Sequence, residues 1–237
     1  MAFECVTRTD VGLRRKVNED SVLVRTERGL WAVADGMGGH EAGDVASTMV
    51  TEALHKLPIV YGLDDLVESA IDVLDQVNHQ LIELARSDGR DRTIGTTIVA
   101  LAIADGHFRC FWAGDSRAYR VRDGEIRRIS RDHSLVQDLV DAGMLAADQA
   151  ETHVNANVIT RAVGVSEDLE VDSSTGDALS GDLFLLASDG LTRLVDDQEM
   201  LAQLTTQTLD DAADSLLQMV MARGAPDNVS LIITRVE

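Results

Sequence analysis

Short apolar runs alternate with long apolar stripes at helical spacing along this chain. Leu30-Trp31-Ala32-Val33-Ala34 is an unbroken apolar run, which predicts a buried strand. After it Ala42, Val45, Ala46, Met49, Val50, Ala53, Leu54 and Leu57 share one stripe, predicting a helix from just past His40 to about residue 58. A second helix is predicted over 63–86, with Leu63, Leu66, Val67, Ala70, Ile71, Leu74, Val77, Leu81 and Leu84 on one face. Two long helices in series suit a pair laid on a sheet. Runs at 3–9, 21–26, 95–104, 107–113, 118–122, 125–129, 169–174 and 229–235, with Leu183-Phe184-Leu185-Leu186-Ala187, predict further strands. Turn signals at Asp105-Gly106, Gly114-Asp115-Ser116-Arg117 and Asp123-Gly124 link four of these runs into an expected antiparallel meander. Asp132-His133-Ser134 opens a helix with Leu135, Leu139 and Val140 inward, and further helices are predicted at 196–204 and 209–223. Periodicity fades over 144–157, and 136–157 reads as a surface flap with some helix. There is no low-complexity linker and no repeat of fixed period, so one domain over 1–237 is expected.

Composition sharpens this picture. Aromatic residues are only 3% of the 237, so the core must be mostly aliphatic. The formal net charge of −20 argues against a nucleic-acid backbone or an anionic membrane as partner. Cys5 and Cys110 form neither a disulfide framework nor a zinc spacing, and read as reduced thiols. Residues 1–10 are too polar for a signal peptide, and no apolar run approaches the ~20 residues of a membrane helix. A soluble, cytoplasmic protein is expected.

With acids nearly twice as numerous as bases, any single Asp is most simply a solvated surface group. Only acids at the ends of apolar runs or in tight turns carry weight. Asp35 ends the run 30–34 and is followed by Gly36-Met37-Gly38-Gly39-His40. An acid at such a position is costly unless it is paired or holds a cation, and the glycines allow close backbone approach. Asp189 ends a second apolar run and again precedes Gly. Asp115 ends a third, though as a lone residue it reads slightly better as a turn former bonding its own backbone. Asp227 stands at the entry of the last strand, and Glu19-Asp20 follow the basic triplet Arg14-Arg15-Lys16. Oxygen-only donors suit magnesium or manganese. Two such ions ~3.5–4 Å apart generate hydroxide at neutral pH and clamp an in-line displacement on phosphorus. An arginine fork matches phosphate oxygens.

Five strings occur in order: 12–20, Val33-Ala34-Asp35-Gly36-Met37-Gly38-Gly39-His40, Gly114-Asp115-Ser116-Arg117, Ala187-Ser188-Asp189-Gly190-Leu191 and Asp227-Asn228-Val229-Ser230. Together they resemble the metal-dependent type 2C (PPM) serine/threonine protein phosphatases in their compact bacterial form, over nearly the whole chain. The resemblance implies an α+β fold, a four-layer α-β-β-α sandwich with two antiparallel sheets between helix pairs. It implies a dinuclear manganese or magnesium centre bridged by Asp35, with the Gly36 carbonyl on one ion and Asp189 and Asp227 on the other. Asp20, with Glu19 beside it, would act through metal-bound water, and Asp115 would help hold a third, weaker ion. Arg15, five residues before Asp20, matches the phosphate-binding arginine. The implied activity is hydrolysis of phosphoserine and phosphothreonine in proteins by a metal-bound hydroxide, without a phospho-enzyme, in a monomer. The implied partners are a serine/threonine kinase or its substrates.

One position departs from many eukaryotic members: Met37 stands where they carry His. The leaving-group acid is then His40 or a metal-bound water. Each single residue has a plainer alternative: a helix N-terminal position for His40, a cap neighbour for His133, solvated rings at His79 and His107, a surface ion pair for Arg117. Two other functions compete. One is a phosphoprotein-binding module of the same fold without hydrolysis, which the intact acids count against. The other is a magnesium-dependent nucleotide-binding protein, for which no P-loop lysine pattern is present.

Overall fold

The computed structural model describes residues 1–38, 42–60, 62–87, 93–150 and 152–237. The elements are β1 (Phe3–Asp10), β2 (Asp20–Arg25), β3 (Leu30–Met37), α1 (Ala42–His55), α2 (Leu63–Ser87), β4 (Gly95–Thr96), β5 (Ile98–Ala104) and β6 (His107–Ala113). They continue with β7 (Arg117–Arg122), β8 (Glu125–Arg128), α3 (Leu135–Asp141), β9 (Asp172–Asp177), β10 (Leu183–Ala187), α4 (Asp189–Thr192), α5 (Asp197–Thr206), α6 (Leu209–Ala222) and β11 (Val229–Val236).

The strands form two antiparallel sheets, ordered β1-β11-β10-β7-β8 and β2-β3-β5-β6-β9, with β4 added to β3. Strand alternation explains the layers. Along β3, Leu30, Ala32 and Ala34 face α1 and α2, while Trp31 and Val33 face the other sheet. Along β10, Leu183, Leu185 and Ala187 face α5 and α6, while Phe184 and Leu186 face inward. Both faces of each central strand are therefore buried, which is why these strands read as unbroken apolar runs. The result is helices, sheet, sheet, helices, as expected. The shortage of aromatics is met by concentrating them between the sheets, where Phe108 and Phe184 meet edge-on and Phe3 meets Trp31. No helix among the described residues is long and apolar enough to cross a membrane.

Several expectations need correction. The four-strand meander is two hairpins in different sheets: β5–β6 lies in one and β7–β8 in the other. Gly114-Asp115-Ser116 is thus a crossing between sheets rather than a hairpin turn. The run 95–104 is broken at Thr97, so that β4 and β5 are separate strands. Strand β3 continues two residues past Asp35. The strand expected at 169–174 lies at Asp172–Asp177, because it pairs with β6 through small polar residues rather than through its apolar start.

Candidate metal centre

The acids come together at one end of the sandwich, some from each sheet. Asp20 opens β2 and lies directly opposite Asp35 on β3. Like charges at facing positions on one sheet repel. Asp189 follows β10 as the first residue of α4, and Asp227 precedes β11. Asp115 stands in the crossing between the sheets and is buried.

Local structure explains why each stands where it does. The break at Thr97 turns two hydroxyls onto the Asp35 peptide. Thr96 Oγ1 donates to the Asp35 carbonyl at 2.9 Å, and the Asp35 N–H donates to Thr97 Oγ1 at 3.1 Å. Gly36 and Gly190, which follow the two run-ending acids, do not have positive φ. A Cβ on Gly36 would run into the Gly43 carbonyl, and one on Gly190 into the Asn228 carbonyl. Both glycines therefore serve close backbone packing beside the acid, not turn formation. Asn228 fastens the loop that carries Arg15 and Glu19. Its amide donates to the carbonyls of Val11 and Val17 at 3.0 Å, and its oxygen accepts from the Glu19 N–H at 2.8 Å. Ser188 Oγ donates to Asp20 Oδ2 at 2.9 Å, tying the end of β10 to the start of β2 across the two sheets.

These carboxyls behave as one electrostatic cluster. Loss of water pushes Asp35 well above the usual carboxylate range, and Asp20, Asp189, Asp115 and Asp227 push it further. Burial raises Asp20 to about 6, against the opposing hydroxyls of Ser230 and Ser188 and with help from Asp227 and Glu19. Burial and Asp189 raise Asp115 to about 7, with Arg193 opposing. Asp189 is raised in the same way, again with Arg193 opposing.

Two arginines neutralise part of this charge. Arg15 Nη2 lies 2.7 Å from Asp227 Oδ2. Arg193 Nε lies 2.9 Å from Asp189 Oδ2, and its Nη2 3.1 Å from Asp115 Oδ2. Arg193 Nη1 also donates to Asn157 Oδ1. Sequence reasoning missed Arg193, although its i,i+4 spacing from Asp189 was a visible signal. It also missed Asp44, in the first turn of α1, whose Oδ1 is buried without a partner.

The donor set fits a hard cation. Glu19 Oε1, Asp20 Oδ1 and Asp115 Oδ1 are buried with no hydrogen-bond partner. Such oxygens are costly unless a proton or a metal satisfies them. As the side chains stand, no three acidic, His or Cys groups among the described residues are close enough together to hold one ion. Asp115, Asp189 and Asp227 are instead drawn onto arginines. His40 lies outside the described residues.

Behind Asp115, His133 is the neighbour of a helix cap, as expected, and it is buried rather than a surface group. It is 1% exposed, its Nδ1 accepts from the Gly114 N–H at 3.2 Å, and its Nε2 meets Asp172 Oδ2 at 3.1 Å. The cap is Ser134. Arg117 pairs not with a surface acid but with Asp132, 7% exposed at its side chain, which also accepts from Arg128. His79 and His107 are exposed, as expected. The segment 136–157 contains most of α3 and a short 3₁₀ turn at Ala147–Gln149. Between it and the acids lies a cavity of about 320 Å³, walled by Asp115, Asp189 and Arg193 on one side and Val136, Val140 and Ala156 on the other.

A family model, protein phosphatase 2C, matches residues 11–229. The serine/threonine protein phosphatase PstP of Mycobacterium tuberculosis is 35% identical over 236 residues, covering all of this chain and 45% of that protein, so the chain spans less than half of PstP. Among solved structures, PppA, described as a key regulatory component of T6SS in Pseudomonas aeruginosa, superposes with a TM-score of 0.93 at 41% identity, covering 100% of this chain and 99% of that one. The catalytic domain of PstP in complex with two manganese ions superposes with a TM-score of 0.87 at 33% identity, covering 99% of each chain.

Proposed function

The chain belongs to the protein phosphatase 2C family, and from that premise we propose that it is a metal-dependent phosphatase acting on phosphoserine and phosphothreonine in proteins. The observation that carries this reading is the acid cluster at the junction of the two sheets, with buried carboxylate oxygens lacking partners and an arginine resting on its rim. We assign Asp35 and the Gly36 carbonyl, with Asp189 and Asp227, to two manganese or magnesium ions. Asp20 and Glu19 would contribute through water, and Asp115 with Asp189 would hold a third ion. When bound, such ions lower the pKa of water and clamp the oxygens of an in-line displacement at phosphorus.

The chain's own residues do the rest. Arg15 swings from Asp227 to the phosphate, where its planar fork matches two oxygens. Thr96 and Thr97 hold the Asp35 peptide fixed, and the Ser188 to Asp20 bond holds the two sheets' contributions in step. No side chain takes the phosphoryl group; water is the nucleophile. The segment 136–157 forms a flap beside the site and meets the protein part of the substrate. The substrates belong to a serine/threonine kinase system, the kinase itself included.

The test is phosphate release from a phosphothreonine peptide by chelator-treated protein, with and without manganese, for wild type and Asp189→Ala. Release that requires manganese and collapses in the variant is expected. Manganese-independent release, or full activity of Asp35→Asn at saturating manganese, overturns the reading.

A further inference from the structure

Arg193 joins the acid cluster to the segment that follows the 3₁₀ turn. Its guanidinium spans Asp189, which follows β10, and Asp115, in the crossing between the sheets, at 2.9 and 3.1 Å. The same group holds the segment that follows the 3₁₀ turn, through Asn157 Oδ1 and, at 3.5 Å, the Ala156 carbonyl. The side chain is 30% exposed, so the charge is partly desolvated and its bonds are charge-assisted. Both carboxylates it touches are pushed upward by burial, so each gains from a nearby positive charge. Asp115 Oδ1 is buried and unpartnered, which leaves that carboxylate half satisfied.

We propose that Arg193 is a tethered cation that occupies the place of the third ion between Asp115 and Asp189 and latches residues 156–157 against the acids. This rests on the assignment of Asp115 and Asp189 to a third ion. A divalent ion entering there competes with the guanidinium for Asp115 Oδ2 and Asp189 Oδ2. When the guanidinium leaves, the segment loses its anchor. The cavity beside Arg193 gives the displaced side chain room, and Asp197 on its wall offers a new carboxylate. Ion binding and segment docking are thus mutually exclusive, and by linkage each weakens the other equally. Arg193 is a positioning residue here: it acts on the ion site and the flap, not on the phosphate.

The experiment titrates chelator-treated protein with manganese by calorimetry and follows hydrogen exchange of peptides covering 152–157. In wild type, these amides are protected in chelator and exchange faster once the weakest manganese site fills. Arg193→Met is expected to tighten that weakest site about tenfold or more, since it removes a charged competitor, and to exchange fast in both conditions. Asn157→Ala leaves the arginine but cuts one strand of the latch, so its segment exchanges faster in chelator while the two tighter sites keep wild-type affinity. Arg193→Lys keeps the charge without the fork and is expected to fall between. Asp115→Asn separates the two readings. If it binds as many manganese ions as wild type, the third-ion assignment fails and the latch with it. If it loses one ion, yet Arg193→Met binds like wild type or wild-type exchange ignores manganese, only the latch is overturned.

Discussion

Asp20→Asn should stabilise the metal-free protein, and only above a defined pH. Asp20 is raised from 3.8 to about 6, chiefly by burial. Its folded pKa thus lies above its unfolded one. Between about pH 4 and 6 the folded state holds a proton that the unfolded state has lost, so stability falls as pH rises through this window. Above about 6 the penalty is complete. A shift of about two units corresponds to about 3 kcal/mol. Neighbouring acids also relax when one charge leaves, so the expected gain from Asn is about 2 kcal/mol. Asn keeps the oxygen that accepts from Ser188 Oγ. For a chain of this size the gain raises the melting temperature by roughly 4–8 °C. The assay is thermal unfolding in chelator at pH 8 and pH 4.5. The variant should melt higher at pH 8 and keep less than half of that gain at pH 4.5. In saturating manganese the order should reverse, because wild type gains binding energy that the variant lacks. An equal gain at both pH values, or none at pH 8, refutes the reasoning.

Other outcomes follow from the same geometry. Arg15→Ala should lower kcat/KM for a phosphopeptide about 10- to 100-fold while tightening manganese at the site it vacates, read by kinetics and calorimetry. Asp132→Ala removes the carboxylate shared by Arg117 and Arg128 and should cost about 3–5 kcal/mol, measured as the shift of a urea midpoint. Gly190→Ala drives a Cβ into the Asn228 carbonyl and displaces the entry of β11, so it should cost about 3 kcal/mol or more and weaken manganese binding. A wild-type melting curve for it would mean the close approach is unimportant.

The sequence was most legible where a one-dimensional signal mirrors local geometry. Asp35 and Asp189 end apolar runs and Asp227 opens one, and those runs are buried because each central strand is covered on both faces. Sheet membership was not legible. The turns at Asp105-Gly106 and Gly114-Asp115-Ser116 look alike in sequence, yet one closes a hairpin and the other crosses between sheets. That difference depends on partners from distant parts of the chain, since β7 pairs with β10 more than 60 residues later. The distant partners of Arg193 and His133 were not legible for a related reason. Asp115 lies 78 residues from Arg193, and Asp172 lies 39 from His133. In a chain with 41 acids, no charge pattern singles out such pairs. The close approaches at Gly36 and Gly190 were legible as glycine but not as packing, because the opposing carbonyls come from Gly43 and Asn228.

The place of β11 in its sheet sets an order of events during synthesis. It follows every other strand among the described residues, yet it pairs with both β1 and β10 and so lies inside its sheet rather than at an edge. Until it is made, β1 has no partner strand, and β10 has only β7. Asp227 emerges just ahead of it, and Ser230, whose N–H donates to Ser188 Oγ, just after its start. A ribosome-bound chain therefore carries most of its acids early but cannot assemble them. Such non-local closure is slow and leaves unpaired edges exposed while it waits. The acid cluster thus stays unassembled until β11 slots in, and losing those eight residues would leave β1 and β10 without their shared partner.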